Sequence, residues 1–237
     1  MVCECVSSTE IGRLRHPAGE RLGRHRHDNG FAAIVLAGHY LEAGDRGRMR
    51  VRPGDVLLHG AFESHLDQVD RTGADVLVLP WRRAVDMPLG HVADPDAIVR
   101  LAERDVRGAC ALLEAGLTTQ ELQAQDWPDQ LALDLRRCPD LSLEAWAAAA
   151  GLRPETVSRG FRRAFGIAPK AFRARLRTLH ALSCIGGRRS LADVAARCGF
   201  ADQAHLTRSF RLLTGLSPGQ WMKAHAPAAT GKAQGPG

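Results

Sequence analysis

Hydrophobic and polar positions alternate along the first third of the chain. The runs FAAIVLAGHYLEAG (31–44), GRMRVRPGDVLLHG (47–60) and DQVDRTGADVLVLPW (67–81) show this two-residue period between turn-forming Gly, Pro and Asp. Side chains two residues apart on a strand point to the same face of a sheet. The pattern therefore predicts short antiparallel strands in a sandwich or small barrel.

After Pro88 the spacing of apolar residues changes to that of helices. Ile98, Leu101 and Val106 (i, i+3 and i+8), and then Leu131 and Leu135 (i and i+4), have the spacing of one helix face. From Leu141 the chain reads as short helices and turns, and its last residues are of low complexity. We expect an α+β protein with a β domain over 1–88, a helical connector over 89–140 that contributes to dimerisation, an all-α domain over 141–226 and a disordered tail over 227–237.

The helical region contains an internal repeat. SLEAWAAAAGLRPETVSRGFRRAFGIAP (142–169) aligns with SLADVAARCGFADQAHLTRSFRLLTGLSP (190–218) after a slip of one residue. Such a duplication indicates two copies of one supersecondary unit.

Each repeated position has a physical role in a helix-turn-helix. Ser142 and Ser190 are placed to cap a helix, and Gly151 and Gly199 fall where the chain must turn between two helices. Gly166 and Gly215 are expected to end the second helix of each copy, and the proline three residues later to begin the next. The second helix of each copy would then bury Val157 and Phe161, or Leu206 and Phe210, and expose a polar face.

The charge distribution supports a polyanionic partner. The chain has 32 Lys and Arg against 26 Asp and Glu, a net charge of +6. Residues 141–225 contain fourteen Lys and Arg against four acidic residues, which leaves the remainder of the chain with a net charge of −4. A concentrated positive charge on helices is typical of nucleic-acid binding, although a solvated basic face has the same composition.

The helical region resembles the DNA-binding domain of AraC/XylS-type transcription regulators. The resemblance covers about 141–226 and rests on SRGF, LADVAARCGF, LTRSF and GLSPGQW. It implies that two reading helices enter successive major-groove segments about 34 Å apart. Carried over by position, the base-reading residues would be Glu155, Ser158, Arg159, Gln203, Ala204, Thr207 and Arg208, and the phosphate-binding residues Arg162, Arg163, Lys170, Arg188 and Arg211.

Two positions of the first motif depart from that family pattern. Gly160 stands where an apolar residue usually packs beneath the reading helix. Glu155 directs a carboxylate toward DNA, where it accepts a hydrogen bond from cytosine but repels phosphate. We therefore expect the first motif to contribute less affinity than the second.

The first third of the chain resembles a cupin barrel, the usual sensory partner of such a DNA-binding domain. The resemblance rests on GRHRHDNGFAAIVLAG and RVRPGDVLLHGAFESHLDQV. It implies that His25, His27 and His65 converge inside the barrel, where they would line an effector pocket or hold a divalent Zn, Fe, Ni or Cu ion. The carboxylate ligand of cupins is absent from its usual position, which Phe31 and Ala32 occupy. No cofactor is otherwise indicated.

The leading hypothesis is a non-enzymatic, effector-responsive transcription regulator, either an activator or a repressor. Its predicted partners are double-stranded DNA, a small-molecule effector, RNA polymerase and a second copy of the chain. A metal-responsive regulator using His25, His27 and His65 is the first alternative, and a cupin-type metalloenzyme the second. The six cysteines lack the density of a disulfide scaffold, and Cys3-x-Cys5 is interpreted as a stray dithiol. With no apolar run of membrane length, we expect a cytoplasmic protein with no membrane partner.

Overall fold

A β-rich module followed by helices makes up the protein. The computed structural model describes residues 5–7, 9–187 and 189–225, with side chains from residue 9 onward; Arg188 and the side chains of Cys3 and Cys5 lie outside the described residues. The strands are β1 (Cys5–Ser7), β2 (Gly12–His16), β3 (Arg21–His27), β4 (Phe31–Gly44), β5 (Gly47–Val51), β6 (Asp55–His59), β7 (Ser64–Pro80), β8 (Leu89–His91) and β9 (Thr118–Gln120). The helices are α1 (Pro95–Ala102), α2 (Val106–Gly116), α3 (Trp127–Arg137), α4 (Leu143–Ala149), α5 (Pro154–Phe165), α6 (Pro169–Cys184), α7 (Leu191–Arg197), α8 (Gln203–Thr214) and α9 (Pro218–Ala224).

Two long strands, β4 and β7, organise the sheet. They pair with each other along most of their length, and each bends so that its two halves serve different neighbours. β4 also pairs with β5 and β6, and β7 with β2 and β3, all antiparallel. The sheet continues to β8 and β9 at one end and to β1, parallel to β3, at the other. This is the expected α+β class, with a cupin-like sheet whose described strands curve over without closing into a complete ring.

The bend in β4 and β7 depends on two facing glycines. Gly38 and Gly73 have φ values of 73° in the left-handed region. A Cβ added to Gly38 would lie 1.9 Å from the carbonyl oxygen of Gly73. The two backbones therefore approach more closely than any side chain would allow.

The sheet is buried on both faces. Ala33, Val35 and Val78 face the interior of the curved sheet. The alternate residues Ala32 and Ile34 face outward, where α1 and α2 cover them with an apolar cluster that includes Ile98, Ala109 and Leu113. The outer surface that a two-residue period would leave to solvent is thus covered by the predicted connector helices.

Contacts divide the chain into two compact units, residues 1–176 and 177–237, so the boundary falls inside α6. The first unit contains the sheet, α1 to α5 and the start of α6. Its helical core includes Phe161, Phe165 and Phe172, and it also includes Ala43 of β4 and Leu66 of β7. The first helix-turn-helix motif and the sheet therefore share one hydrophobic core.

A buried ion cluster reinforces this shared core. Asp45, in the turn after β4, contacts the guanidinium of Arg24 and accepts a 2.6 Å hydrogen bond from Nε of Arg175 on α6. Arg24 also donates to the carbonyl oxygen of Phe165 at 2.9 Å, and Arg175 donates to that of Phe62 at 2.6 Å. The carboxylate thus joins β3 to α6, while both arginines hold backbone carbonyl groups.

The second unit is a three-helix arrangement with the same order of helices and turns as the first motif. Ser190 caps α7 as Ser142 caps α4, each accepting from a backbone N–H three residues on. Gly151 and Gly199 take φ values of 66° and 72°, and Gly166 and Gly215 end α5 and α8 at 75° and 77°. The caps, turns and helix stops expected from the repeat are confirmed, and Pro169 and Pro218 begin α6 and α9. Among the described residues, no helix is both long and apolar enough to span a bilayer.

The structure explains why residue 160 is a glycine, which the sequence alone did not reveal. A Cβ at this position would lie 2.3 Å from Cζ2 of Trp127, so the indole at the start of α3 packs directly on the α5 backbone. Trp127 also contacts Trp146 of α4, with ring centroids 6.2 Å apart. The space that an apolar residue of α5 would fill is therefore filled by α3.

Gly160→Ala should destabilise the protein, because the rigid indole cannot yield without displacing α3. We expect a loss of about 1–3 kcal/mol in the free energy of unfolding by denaturant titration, the usual cost of overpacking. Gly116→Ala is the matched control, since a Cβ there meets nothing within 4 Å. The control should be neutral or stabilising by up to about 1 kcal/mol. Equal stability of Gly160→Ala and the wild type would contradict the packing described.

Candidate nucleic-acid interface and internal pocket

The curved sheet encloses a pocket of about 200 Å³. Its position follows from strand pairing: His25 on β3 lies opposite His65 on β7, and Glu42 on β4 lies opposite Asp67 on β7. His27, two residues after His25, points to the same side. Leu14, Phe31, Val69, Val76 and Val78 complete an apolar wall.

Four imidazoles meet in this pocket. The ring centroid of His65 lies 4.4 Å from that of His25, 5.4 Å from that of His27 and 4.7 Å from that of His59. The three histidines singled out from the sequence are therefore brought together, and His59 joins them from the end of β6. His59 stacks on Phe31 with a centroid distance of 4.2 Å.

Burial and neighbouring charges set the protonation of the pocket. Burial lowers the pKa of His65 well below its usual value, and the nearby cations His59, His25, His27 and Arg24 lower it further. Burial raises the pKa of Asp67 well above its usual value, with the charges of Glu42 and Glu20 adding to the effect. Both shifts favour the uncharged form of the side chain.

His59 differs from His65 in the net direction of its pKa shift. Burial alone would lower the pKa of His59, but the charge of Glu42, whose Oε2 lies 3.3 Å from Nε2, and that of Glu63 raise it overall. The pKa values of these two neighbouring histidines are thus shifted in opposite directions. The pocket offers both hydrogen-bond donors and acceptors to a ligand.

The donor atoms also fit a metal ion. The candidate ligand atoms of His25, His27 and His65 lie within 4.8 Å of one another, and so do those of Glu42, His59 and His65. Nδ1 of His65 is buried and finds no hydrogen-bond partner among the described residues. Buried nitrogen and carboxylate donors in this arrangement suit Zn, Fe, Ni or Cu.

The first reading helix, α5, presents the polar face expected of it. Val157, Phe161 and Phe165 are buried. The residues expected to contact DNA on this helix are exposed: Glu155, Ser158, Arg159, Arg162 and Arg163. Lys170 is exposed on the first turn of α6, and an open groove of about 660 Å³ runs between it, Glu155 and Ser158.

The second reading helix, α8, is arranged in the same way. Leu206, Phe210 and Leu213 are buried. Gln203, Ala204, Arg208 and Arg211 are exposed, and Thr207 is half-buried. His205 is exposed and its ring packs edge-on against Phe200, with centroids 5.2 Å apart.

Known proteins share this arrangement of helices. Residues 146–224, which span α4 to α9, match a family model described as a helix-turn-helix domain. The transcriptional activator NphR of a Rhodococcus species is 38% identical over 189 residues, 73% of this chain and 52% of NphR. Residues 146–224 therefore carry a helix-turn-helix domain similar to that of known transcriptional activators.

Other known proteins match over different lengths of this chain. The virulence regulon transcriptional activator VirF of Yersinia enterocolitica is 32% identical over 79 residues, 33% of this chain and 29% of VirF. The crystal structure of ToxT from Vibrio cholerae, with a bound unsaturated fatty acid, is similar over 90% of this chain and 94% of ToxT, at 9% identity and a TM-score of 0.42. The chain spans about half the length of NphR and less than a third of VirF.

Sequence reasoning missed the acidic side of the pocket. The cupin resemblance implies a carboxylate near Phe31 and Ala32, whereas Glu42 near the end of β4 and Asp67 near the start of β7 supply it. An unbroken two-residue period would have placed Glu42 on the outer face with Ala32 and Ile34, because the register shifts between Val35 and Tyr40 are what turn it inward. Which strands face each other across the pocket depends on the bends in β4 and β7, which the period alone does not reveal.

The low pKa of His65 predicts a specific dependence of stability on pH. Between that lowered value and about 6.5, the value expected in an unfolded chain, the unfolded state binds a proton at His65 that the folded state does not. Stability from this residue is therefore complete above about pH 6.5 and falls as the pH is lowered through this window.

His65→Asn should weaken that dependence. We expect the melting temperature of the wild type to fall more steeply between about pH 7 and about pH 5 than that of the variant, since Asn does not titrate. The exposed His39 provides the control, and His39→Asn should follow the wild-type curve. Parallel curves for His65→Asn and the wild type would show that His65 does not titrate as its burial implies.

Proposed function

We propose that the protein is a one-component transcription activator that binds double-stranded DNA through both motifs and senses a small molecule in the sheet. The observation that carries the proposal is the duplication itself. Each of α5 and α8 buries an apolar stripe, exposes a polar and cationic face, and ends at a left-handed glycine. A helical bundle without a nucleic-acid partner has no evident use for two such faces within a region of net charge +10.

The exposed residues divide into two proposed roles. Short polar and guanidinium groups near the start of each helix suit base edges in the major groove: Glu155, Ser158 and Arg159 on α5, and Gln203, Ala204, Thr207 and Arg208 on α8. Residues nearer the helix ends suit phosphates: Arg162, Arg163, Arg211 and Lys170. Arg188, which lies outside the described residues, keeps the phosphate-binding role predicted from the sequence. Glu155 lies in the first turn of α5, so we retain the expectation that the first motif binds less tightly.

Selection from a random DNA library tests the proposal directly. The full chain should enrich a bipartite sequence, because two reading helices require two half-sites. Its affinity should fall steeply between about 50 mM and about 200 mM salt, as expected when several phosphates are neutralised. Binding without sequence preference at both salt concentrations would reduce the helical region to a general polyanion-binding surface.

Arg208→Ala separates base reading from phosphate binding on α8. If Arg208 contacts a guanine, the variant should lose about 1–3 kcal/mol of binding free energy and relax selectivity at one position of the selected site. Arg104→Ala, an exposed arginine between α1 and α2, should leave both quantities unchanged. A uniform loss of affinity on all sequences would instead assign Arg208 to phosphate.

The pocket is the proposed effector site. Its volume lies below the range of about 300–1,000 Å³ typical of drug-sized ligands, so we infer a small, largely apolar molecule with one or two polar groups. The effector would act through a higher affinity for one arrangement of the chain, which shifts the population that binds DNA. A homodimer formed through the connector and a contact with RNA polymerase complete the proposal.

A metal-responsive activator is the second candidate, favoured by the two triads of donor atoms around His65. A bound metal would be held by His25, His27 and His65 or by Glu42, His59 and His65, and would supply a Lewis-acid centre for an anionic ligand. A cupin metalloenzyme would need stoichiometric metal and an open coordination position. Metal analysis of the purified protein, together with DNA binding before and after chelation, distinguishes these candidates from an organic effector.

A further inference from the structure

A second cluster of metal-ligating side chains lies in the unit formed by residues 177–237, separate from the pocket of the sheet. His180 and Cys184 are four residues apart on α6, so their side chains share one helix face. Cys198 ends α7 and directs its thiol toward them. Nitrogen and sulfur donors of the three residues lie within 4.8 Å of one another.

We propose that His180, Cys184 and Cys198 form a binding site for a thiophilic d¹⁰ metal ion of the Zn²⁺ or Cu⁺ class. Two thiolates and one imidazole are the donors that such ions select over carboxylate and carbonyl oxygens. Because the donor atoms lie within 4.8 Å of one another, they are close enough to serve as ligands of a single centre with bonds of about 2.0–2.3 Å. This proposal does not depend on the DNA-binding function proposed above.

The surroundings of the cluster fit an ion that enters from solvent. Cys198 is 4% exposed and packs with Val194, Ala195 and Phe200 in an apolar core. Cys184 is half-buried at the edge of that core, and His180 is exposed. The cluster thus has an apolar floor and an open side, where solvent or a further ligand would complete the coordination shell.

The two thiols interact in the metal-free protein. Burial raises the pKa of Cys198, and the charge of Cys184 and a hydrogen bond with it raise it further, to about 11. A cation reverses the second effect, because it stabilises both thiolates together. Metal binding should therefore release protons, and its apparent affinity should increase with pH.

The repeat supports a specific role for Cys198. The equivalent residue of the first motif is Ala150, so a small side chain is sufficient for the helix-turn-helix itself. Cys198 immediately precedes Gly199, whose carbonyl oxygen accepts a 2.8 Å hydrogen bond from Arg177 of α6. A metal ion at Cys198 would join α6 to the turn that orients α8.

The test uses the reduced full chain and Co²⁺ as a spectroscopic probe for Zn²⁺. We expect thiolate-to-cobalt charge-transfer absorption that saturates at one equivalent and disappears when Zn²⁺ is added. Cys198→Ala and Cys184→Ser should each abolish it, and His180→Ala should weaken Co²⁺ binding by about tenfold or more. Circular dichroism should show that Cys198→Ala folds normally, since Ala150 occupies the same place in the first motif.

Controls separate this cluster from the other candidate sites. The absorption should persist in Cys138→Ser, in the double variant Cys3→Ser/Cys5→Ser and in His25→Ala, whose cluster has no thiolate. When Cu⁺ is added, two thiols of the wild type should become protected from alkylation. This protection should be lost in Cys184→Ser and in Cys198→Ala. Binding of either Co²⁺ or Cu⁺ in this way supports the proposal.

Three outcomes would overturn the proposal. The first is charge-transfer absorption that survives in Cys198→Ala, and the second is its loss in the Cys3→Ser/Cys5→Ser variant alone. The third is no thiolate coordination by either ion, with Cys184 and Cys198 recovered as a disulfide under air. That last result would assign the cluster to redox chemistry instead of metal binding.

Discussion

The first unit depends on the buried ion pairs and hydrogen bonds of the Asp45 carboxylate. It is buried between the guanidinium groups of Arg24 and Arg175, and it also accepts a 2.8 Å hydrogen bond from the backbone N–H of Ser64. A buried charge of this kind is tolerated only when its partners are complete, and removing one partner typically costs about 3–5 kcal/mol. Strand β3, the turn that follows β4, and helix α6 must therefore pack together for the first unit to fold.

This requirement ties the proposed sensory pocket to the first DNA-binding motif. On β3, His25 and His27 face the pocket, while Arg24 on the opposite face holds Asp45 and the last carbonyl group of α5. Phe62, beside this cluster, takes a φ of 64° and is held by Arg175. A non-glycine residue in the left-handed region is retained only where its surroundings determine it. An effector that displaces β3 would thus act on α5 through direct contacts.

The two motifs have the same order of helices and turns, but they pack against different neighbours. In the first motif, Trp127 packs on Gly160, and Ala43 and Leu66 extend the core into the sheet. In the second motif, Cys198 replaces the alanine of the first and places a thiol beside Cys184. Duplication therefore supplied two similar helix pairs, one integrated with the sheet and the other with a thiol cluster of its own.

The sequence by itself determined the local structure of this protein. The alternation in the first third, the helical spacing after Pro88 and the repeated Ser, Gly and Pro positions predict the strands, helices and caps that are observed, because each depends on backbone geometry within a few residues. Both reading helices and their exposed faces follow from the same short-range rules.

Only the tertiary structure decided which distant residues meet. Glu42 and His59 join the three predicted histidines because β4 and β7 bend at Gly38 and Gly73. The indole that explains Gly160 comes from another helix, and the partner that brings Arg175 to the sheet lies 130 residues away. Such contacts depend on strand register and helix packing across the whole core, which no local period encodes.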